Sequence, residues 1–359
     1  MNIIIYGGGF DPIHVGHLNI ARLASKQFDG DVIFVPSHFP IWKVESAPIE
    51  NKLEMIRLAI EEEPRFYIDE FELHTGKSFN YSIDTVKYFK KKYPNDTLFY
   101  LVGADQVNRF HEWKSPEELS SLAHIIYLPR PGFEINNDNV DKYHITKIEG
   151  EAIDISSTDI KTLHKITVPD NVLAYIEENG LYFIQEVKKH ISSRRFTHSL
   201  SVAHLAYYLA KRHNFDNPEK AYIAGLLHDI GKDADKKHEL MKKYFPEYYD
   251  LPEFSYHQFL GAQLAKDLFK IEDEEILDAI KFHATGNSGM SDLGKLIYAC
   301  DKIEPTRGFD SSKLIMAMEK DLEKGFVKVL YENKIFLEKN RGNIDNRLTH
   351  ECFECYLKK

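Results

Sequence analysis

The chain has 359 residues, more than one hydrophobic core usually serves, so we expect two domains. Apolar residues make up 43% and charged residues 28% of the chain, which excludes a wholly disordered protein. The 46 Lys and Arg residues against 56 Asp and Glu residues give a net charge of −10, which disfavours a protein that coats nucleic acid.

Membrane and export signals are not evident in the sequence. No apolar run approaches the roughly 18–20 residues needed to span a bilayer, and the first residues lack the pattern of a signal peptide. Three cysteines in a chain of this length indicate a reducing compartment, so we expect a cytoplasmic protein with no membrane partner. Cys352 and Cys355 have the spacing of a metal-binding or redox-active pair, but no fourth metal ligand lies near them in the sequence. We therefore interpret the pair as free thiols.

Two kinds of hydrophobic pattern divide the chain. In the first half, strands are predicted at 3–6, 32–35, 97–102 and 124–128, and helices at 18–28, 51–61 and 82–92. This alternation implies a Rossmann-like α/β domain with a parallel sheet, which we assign to residues 1–185. Beyond it only helical patterns occur, at 199–212, 219–230 and 258–269, so residues 186–359 are expected to form an all-α bundle.

A glycine-rich turn separates the first predicted strand from the first predicted helix. Gly7, Gly8 and Gly9 would let a ligand approach the backbone closely, and the N–H groups of a helix start attract phosphate oxygens. His14 and His17 are three residues apart, which places both imidazoles on one face of the first helical turn. The pattern is neither G-x-G-x-x-G nor a P-loop. We interpret it as a phosphate site, the alternative being a turn that serves close packing alone.

The sequence GGGFDPIHVGH at 7–17 resembles the signature of the HxGH nucleotidyltransferase superfamily, and most closely that of nicotinate-nucleotide adenylyltransferases. Segments 36–43, 81–85, 103–105 with Trp113, and 155–161 are similar to further motifs of that family. The resemblance implies that a mononucleotide phosphate attacks the α-phosphorus of ATP and releases pyrophosphate. It also implies that magnesium and four side chains align and neutralise the transferring phosphate, namely His14, His17, Lys43 and Lys161. The implied substrate-binding residues are Gly7, Gly8, Gly9, Phe10, Asp11, Ser82, Thr85, Gly103, Asp105, Trp113, Ser157 and Thr158.

Two positions depart from the family pattern. Trp42 stands where the family usually has His, and Lys161 stands where Arg is expected. Lysine is a point charge whereas arginine offers a bidentate fork, so a looser grip on the ATP phosphates is expected. A different adenylyltransferase, such as one that acts on phosphopantetheine, is the alternative, and Trp113 after Gly103-Ala104-Asp105 argues against it.

Histidines and acids recur through the second half at separations of 30, 29, 26 and 18 residues: His198, His228 with Asp229, His257, His283 and Asp301. One ligand from each helix is what a metal centre inside a bundle requires. His228 and Asp229 end an apolar stretch, where they would be costly to bury unless paired or metal-bound. A ligand set of imidazoles and carboxylates without thiolates suits iron, manganese, zinc or magnesium. The expected task of such a metal is to activate a hydroxide that attacks phosphorus. Satisfied core histidines are the alternative.

These motifs resemble those of HD-domain phosphohydrolases, most closely the YqeK-like family that cleaves diadenosine tetraphosphate into two ADP. The matching segments are 195–203, 225–232 and 297–307, with His257 and His283 between them. The resemblance implies that His198, His228, Asp229 and Asp301 hold a first metal, with His257 and His283 near a second ion or a phosphate. It further implies that Asp229 and Lys232 are catalytic, that Arg307 offsets charge on the substrate, and that the ion is iron or another divalent metal.

The sequence therefore predicts a bifunctional enzyme. One half is expected to transfer AMP from ATP to nicotinate mononucleotide, and the other to hydrolyse diadenosine tetraphosphate. We expect its partners to be small nucleotides and not nucleic acid. The sequence does not determine the oligomeric state, and a homo-oligomer is one possibility. The alternative is another adenylyltransferase whose helical half senses nucleotides or hydrolyses a different one.

Overall fold

The computed structural model describes residues 1–37, 47–76, 80–130, 133–339 and 346–358. The chain divides into two compact units, one of Met1–Lys161 with Lys165–Tyr182 and one of Thr162–His164 with Phe183–Lys359. The sequence-based boundary after residue 185 lies three residues beyond Tyr182. Within the described residues, no helix has the length and apolar character required to traverse a bilayer.

The first unit contains a parallel sheet, as predicted, with six strands where four were expected. Its strands are β1 (Asn2–Gly8), β2 (Gly30–Pro36), β3 (Phe66–Ile68), β4 (Thr97–Val102), β5 (His124–Tyr127) and β6 (Thr146–Lys147). Their order across the sheet is β3-β2-β1-β4-β5-β6, and every neighbouring pair is parallel. The inner strands read as continuous apolar runs because helices cover both faces, and Ile4 and Ile5 are both fully buried.

Eight helices accompany the sheet among the described residues: α1 (Val15–Phe28), α2 (Ile49–Ile60), α3 (Ser82–Lys92), α4 (Ala104–Asn108), α5 (Pro116–Leu122), α6 (Asn137–Tyr143), α7 (Ser157–Lys161) and α8 (Asp170–Glu178). Their apolar residues recur at helical spacing, as in α3, where Ile83, Val86 and Phe89 are buried. The three predicted helices are present, with α1 beginning three residues earlier than the predicted start at 18.

The strand order reverses at β1, which pairs with β2 on one side and β4 on the other. In open α/β sheets a crevice forms outside the carboxyl ends of the strands at such a point, and ligands bind there. Gly7 and Gly8 end β1, and Gly103 directly follows β4. The glycine turn therefore lies at the position where this topology places a ligand.

The second unit is all-α among its described residues, as predicted. Its helices are α9 (Phe183–His190), α10 (Ser193–Arg212), α11 (Glu219–Leu227), α12 (Lys237–Tyr244), α13 (Tyr256–Phe269), α14 (Glu274–Lys281), α15 (Asp292–Ile303), α16 (Ser312–Lys320), α17 (Leu322–Lys339) and α18 (Arg347–Leu357). The helix predicted at 219–230 ends at Leu227, so His228 and Asp229 stand in the turn that follows it.

Two glycines let the elements that carry these side chains approach closely. A Cβ on Gly225 of α11 would lie 2.7 Å from the Cα of Ala203 on α10. A Cβ on Gly231 would lie 2.4 Å from the carbonyl oxygen of His257 on α13. Any larger residue at either position would force these segments apart. The close packing brings His228 next to α10 and the following turn next to α13.

Candidate active sites

The two histidines of the glycine turn stack on each other at the carboxyl edge of β1. Their ring centroids are 3.6 Å apart, with His14 buried just before α1 and His17 half-buried in its first turn. The backbone N–H of His14 donates to Nδ1 of His17 at 3.2 Å. Because Nδ1 accepts this hydrogen bond, the ring proton of neutral His17 resides on Nε2. His17 therefore presents an N–H donor from its other ring nitrogen.

Both histidines are held neutral by their surroundings. Burial and the positive charge of Arg130 lower the pKa of His14 to about 3. Burial, the neighbouring His14 ring and Arg130 hold the pKa of His17 well below its usual value. The pair thus offers hydrogen bonds rather than the positive charge expected from the sequence. Positive charge beside the pair comes from Arg130, which the sequence analysis did not predict. The only signal for it in the sequence is its place shortly after strand β5.

The predicted substrate-binding residue Asp11 is instead an internal anchor. It is 2% exposed, and its carboxylate accepts hydrogen bonds from the Tyr182 hydroxyl at 2.7 Å and the Ala47 N–H at 3.1 Å. Its second oxygen forms an ion pair with the Lys161 ammonium. Because Lys161 is held by this buried carboxylate, the residue predicted to grip the ATP phosphates is tied to the glycine turn.

The segment around α7 packs against the glycine turn. The Ser157 hydroxyl donates to the carbonyl of Pro12 at 2.9 Å, and Arg130 Nη2 donates to the carbonyl of Ile155 at 2.8 Å. Thr158 is exposed at the start of α7. Motifs some 145 residues apart in the chain, including the predicted residues Ser157 and Thr158, are therefore joined around one edge of the sheet.

Phe10 is a second predicted substrate-binding residue that lies in the core. It is 2% exposed, and its ring packs against Tyr6, Phe34 and His17 with centroids 5.1 to 5.3 Å apart. Its side chain thus supports the His17 ring. Only the backbone of Phe10, like that of the half-buried Gly9 before it, is left to face a ligand.

A cavity of about 330 Å³ opens at the strand switch point. It is lined by Gly7, Gly8, Ser37, Glu72, Asn80, Ser82, Tyr100, Leu101, Val102, Gly103, Gln106 and Trp113. The structure thereby brings together five of the predicted residues: Gly7, Gly8, Ser82, Gly103 and Trp113. Trp113 is half-buried and rests on Phe110 with ring centroids 5.1 Å apart, which fixes its position at the cavity wall.

Thr85 and Asp105, also predicted to bind substrate, do not line this cavity. Thr85 is fully buried, and its hydroxyl donates to Glu72 at 2.5 Å. Asp105 is exposed and accepts a hydrogen bond from the neighbouring Gln106 amide at 2.6 Å. Glu72, whose pKa burial raises, is a cavity residue for which the sequence carried no signal. Lys43 and Trp42 lie outside the described residues.

All six predicted ligands of the second unit converge. Two groups each hold their ligand atoms within 4.8 Å of one another, one of His198, His228 and Asp301 and one of His228, Asp229 and His283. Nε2 of His257 lies 3.2 Å from Nε2 of His283 and 3.3 Å from Oδ1 of Asp229. Residues spread over about a hundred positions thus form one cluster at the centre of the bundle.

The hydrogen bonds of the imidazoles show what this cluster is suited to bind. Nδ1 of His228, His257 and His283 each donates to the carbonyl of the residue three positions earlier, at 2.7, 2.7 and 2.8 Å. Their Nε2 atoms therefore carry lone pairs, and those of His257 and His283 face each other without a proton to share. Converging lone pairs beside carboxylates fit a divalent cation.

The charges around the cluster are consistent with this fit. The pKa of the Asp229 carboxyl lies below its usual range despite burial, and the Lys232 ammonium lies 3.6 Å from its Oδ1. Asp301 is likewise kept ionised, since Lys302 and other neighbours lower its pKa despite burial. Both carboxylates can therefore serve as anionic ligands.

Cationic side chains surround the ligands. Lys232 Nζ lies 3.1 Å from Nε2 of His257, and Arg307 contacts the carboxylate of Asp301. A cavity of about 730 Å³ opens over the cluster. Its lining comprises Arg195, Asp229, Lys232, Lys237, Glu253, Phe254, His257, His283, Ala284, Asp301, Lys302, Arg307, Asn333, Leu337 and Thr349. Five of the lining residues are cations, which suits the cavity to an anionic ligand.

The two C-terminal cysteines are free thiols. Cys352 is fully buried, and burial raises its pKa to about 12, so its thiol is inert at neutral pH. Neither Cys352 nor Cys355 joins a metal-ligand group within the part of the chain that the structure describes.

Comparison with known proteins matches a different family model to each half of the chain. Residues 5–163 match a family model described as cytidylyltransferase-like, and residues 195–306 match that of the HD domain. A Mycoplasma genitalium protein named "Probable nicotinate-nucleotide adenylyltransferase/Ap4A hydrolase" is 30% identical over 345 residues, 91% of this chain and 96% of its own length. A protein of the same name from Mycoplasma pneumoniae is 28% identical over 89% of this chain and 95% of its own. The structure of a "predicted HD superfamily hydrolase involved in NAD metabolism" from Clostridium acetobutylicum is 32% identical, covering 48% of this chain and 94% of that one, with a TM-score of 0.44.

Proposed function

Because the chain belongs to the family of two-domain nicotinate-nucleotide adenylyltransferase/Ap4A hydrolase proteins, we propose that it catalyses both reactions. The first unit transfers AMP from ATP to nicotinate mononucleotide and yields deamido-NAD and pyrophosphate. The second unit hydrolyses diadenosine tetraphosphate to two ADP. The observation that carries the proposal is the contrast between the two histidine sets, one with an N–H donor and the other with lone pairs directed at the site.

In the first unit, the protein aligns two phosphates and stabilises the charge that passes between them. The Nε2–H of His17 donates to a phosphate oxygen of ATP, and Arg130 supplies positive charge beside it. Backbone amides of the glycine turn and the start of α7 hold the remaining oxygens. Magnesium enters with ATP as part of the substrate complex. No covalent bond to the protein forms, because the mononucleotide phosphate itself attacks the α-phosphorus.

The mononucleotide occupies the cavity of about 330 Å³ at the strand switch point. Trp113 lies against the pyridine ring, and its packing on Phe110 holds the indole in place for that contact. Ser82 and Gly103 line the same cavity and contact the ribose and phosphate. The nicotinate base is preferred over nicotinamide, as the family membership suggests.

In the second unit, His198, His228, Asp229, His257, His283 and Asp301 hold divalent metal, for which we propose iron. When bound, the metal supplies Lewis acidity toward a phosphoryl oxygen and an activated nucleophile. Lys232 and Arg307 face the cavity and neutralise charge on the phosphate chain of the substrate. The three further cations of the cavity wall, Arg195, Lys237 and Lys302, extend this surface for a long polyphosphate.

A substrate panel with the purified full-length chain tests the proposal. ATP is supplied with nicotinate mononucleotide, nicotinamide mononucleotide or phosphopantetheine, and dinucleotide and pyrophosphate are quantified. Diadenosine tetraphosphate is supplied with iron(II), manganese, zinc or magnesium, and the adenine products are separated by chromatography. We expect deamido-NAD from the first arm and ADP as the sole nucleotide product of the second.

The His17→Ala variant is the matched control, because it removes an N–H donor from the first unit and leaves the second unit unchanged. It should lose pyrophosphate release and keep hydrolysis. Turnover of phosphopantetheine but not of nicotinate mononucleotide would contradict the first assignment. Products of ATP and AMP in place of two ADP would contradict the second.

A further inference from the structure

Glu304 is a buried carboxylate directly behind the metal-ligand cluster. It follows the last residue of α15 and is 1% exposed. Its Oε1 accepts a hydrogen bond from Nδ1 of His198 at 2.9 Å and another from the Thr306 hydroxyl at 2.8 Å. Its Oε2 accepts from the backbone N–H of Thr306 at 2.6 Å. These contacts fix the carboxylate in one orientation toward His198.

This partner distinguishes His198 from the other imidazoles of the cluster. Nδ1 of His228, His257 and His283 donates to a neutral backbone carbonyl, whereas Nδ1 of His198 donates to a full negative charge. A carboxylate behind a ligating histidine fixes its ring and tautomer and makes the ligand more basic. The Nε2 atom of His198 is thereby directed at Oδ1 of Asp301, 3.1 Å away.

We propose that Glu304 is a positioning residue that sets the metal affinity of the group formed by His198, His228 and Asp301. The inference rests on the proposed function of the second unit, since it concerns the same metal cluster. Glu304 lies behind His198 and acts only through it. Nothing in the nucleotide cavity needs to touch it.

The geometry explains why a carboxylate, and not an amide, belongs at this position. Both oxygens of Glu304 accept hydrogen bonds, Oε1 from His198 and Oε2 from the Thr306 N–H. A glutamine has one acceptor oxygen, so its amino group must face either Thr306 or His198. If that group faces Nδ1 of His198, the ring proton moves to Nε2, which can then no longer bind a metal.

The test is the Glu304→Gln variant of the full-length chain, with metal binding as its readout. Cobalt(II) affinity is measured by competition with a chelator, and the visible absorption of the bound cobalt reports its ligands. We expect affinity to fall by about 10- to 100-fold and the cobalt spectrum to change, as for other residues behind metal ligands. Glu304→Asp retains the charge and should recover part of the affinity.

Glu319→Gln is the matched control, because Glu319 lies in the same unit and accepts a hydrogen bond from the Tyr208 hydroxyl at 3.0 Å. It should leave cobalt binding unchanged. Cobalt affinity within twofold of the parent chain in Glu304→Gln would overturn the proposal. If Glu304→Gln does not fold, equal affinity of Glu304→Asp and the parent chain, with an identical spectrum, would overturn it instead. Loss of affinity in a chain that never hydrolyses diadenosine tetraphosphate would refute the proposed activity and support the role of Glu304.

Discussion

Replacing Lys161 with Met should destabilise the first unit by about 2–3 kcal/mol. Removing one partner of a fully buried ion pair costs about 3–5 kcal/mol, because the remaining charge is left uncompensated. The cost is smaller here because the Lys161 side chain is 17% exposed and Asp11 keeps its hydrogen bonds from Tyr182 and Ala47. The charge of Lys52, which interacts with Asp11, offsets a further part.

Tryptophan fluorescence isolates this effect in the intact chain. The protein has two tryptophans, Trp42 and Trp113, and both belong to the first unit, so unfolding of the second unit is invisible to this probe. With a urea dependence of about 2 kcal/mol per molar, the loss corresponds to a midpoint lower by about 1–1.5 M. Lys161→Met should also raise the KM for ATP, because the lost cation lies beside the glycine turn.

The double variant Asp11→Asn, Lys161→Met separates these two roles. It removes both charges of the buried pair, so its loss of stability should be smaller than the sum of the losses in Asp11→Asn and Lys161→Met by about 1–3 kcal/mol, the coupling found for residues in direct contact. Its KM for ATP should stay raised. A double-variant loss equal to the sum of the two single losses would refute the assignment of a buried ion pair. Recovery of the KM together with stability would refute a direct phosphate role for Lys161.

Three further outcomes are expected. Asp229→Asn should weaken metal binding by about a thousandfold and abolish hydrolysis, since one carboxylate near 4 Å contributes about 4 kcal/mol at an effective dielectric of 20, while pyrophosphate release by the first unit stays intact. Thr85→Val should lower the urea midpoint of the first unit because it leaves Glu72 without its buried donor, with little change in either KM, since Thr85 does not line the cavity. Because burial lowers the pKa of His14 to about 3 from 6.5, the unfolded chain binds more protons between these values, and stability falls as pH falls. Fluorescence-detected unfolding of the parent chain should therefore lose about 2 kcal/mol more between pH 7 and pH 5 than that of His14→Asn.

The fold was predictable where hydrophobic patterns are long. Strands β1, β2, β4 and β5 are continuous apolar runs, and the helices between them carry apolar residues at helical spacing. Strands β3 and β6 were not predicted, because three and two residues are too few to show a period. Their existence depends on pairing with neighbours already in the sheet, which is a property of the fold and not of the local sequence.

The candidate sites were predictable only in part. Ligand spacing pointed to His198, His228 and their partners, and the structure brings that whole set together. Motif membership, by contrast, could not tell which side chains face a ligand. Thr85 points into the core, and the carboxylate of Asp11 forms a buried ion pair with Lys161.

Histidine plays opposite electronic roles in the two units, and the group that contacts Nδ1 decides which one. In His17 a backbone N–H occupies Nδ1, so Nε2 carries the proton and donates. In His228 a backbone carbonyl occupies Nδ1, so Nε2 carries the lone pair and can bind a metal. The sequence pattern does not show this difference, because the partner of Nδ1 can be far away in the chain. The partner of Nδ1 in His198, for example, is 106 residues away. A histidine motif therefore indicates a phosphate or metal site, and only the fold around its second nitrogen determines whether the ring serves as donor or as ligand.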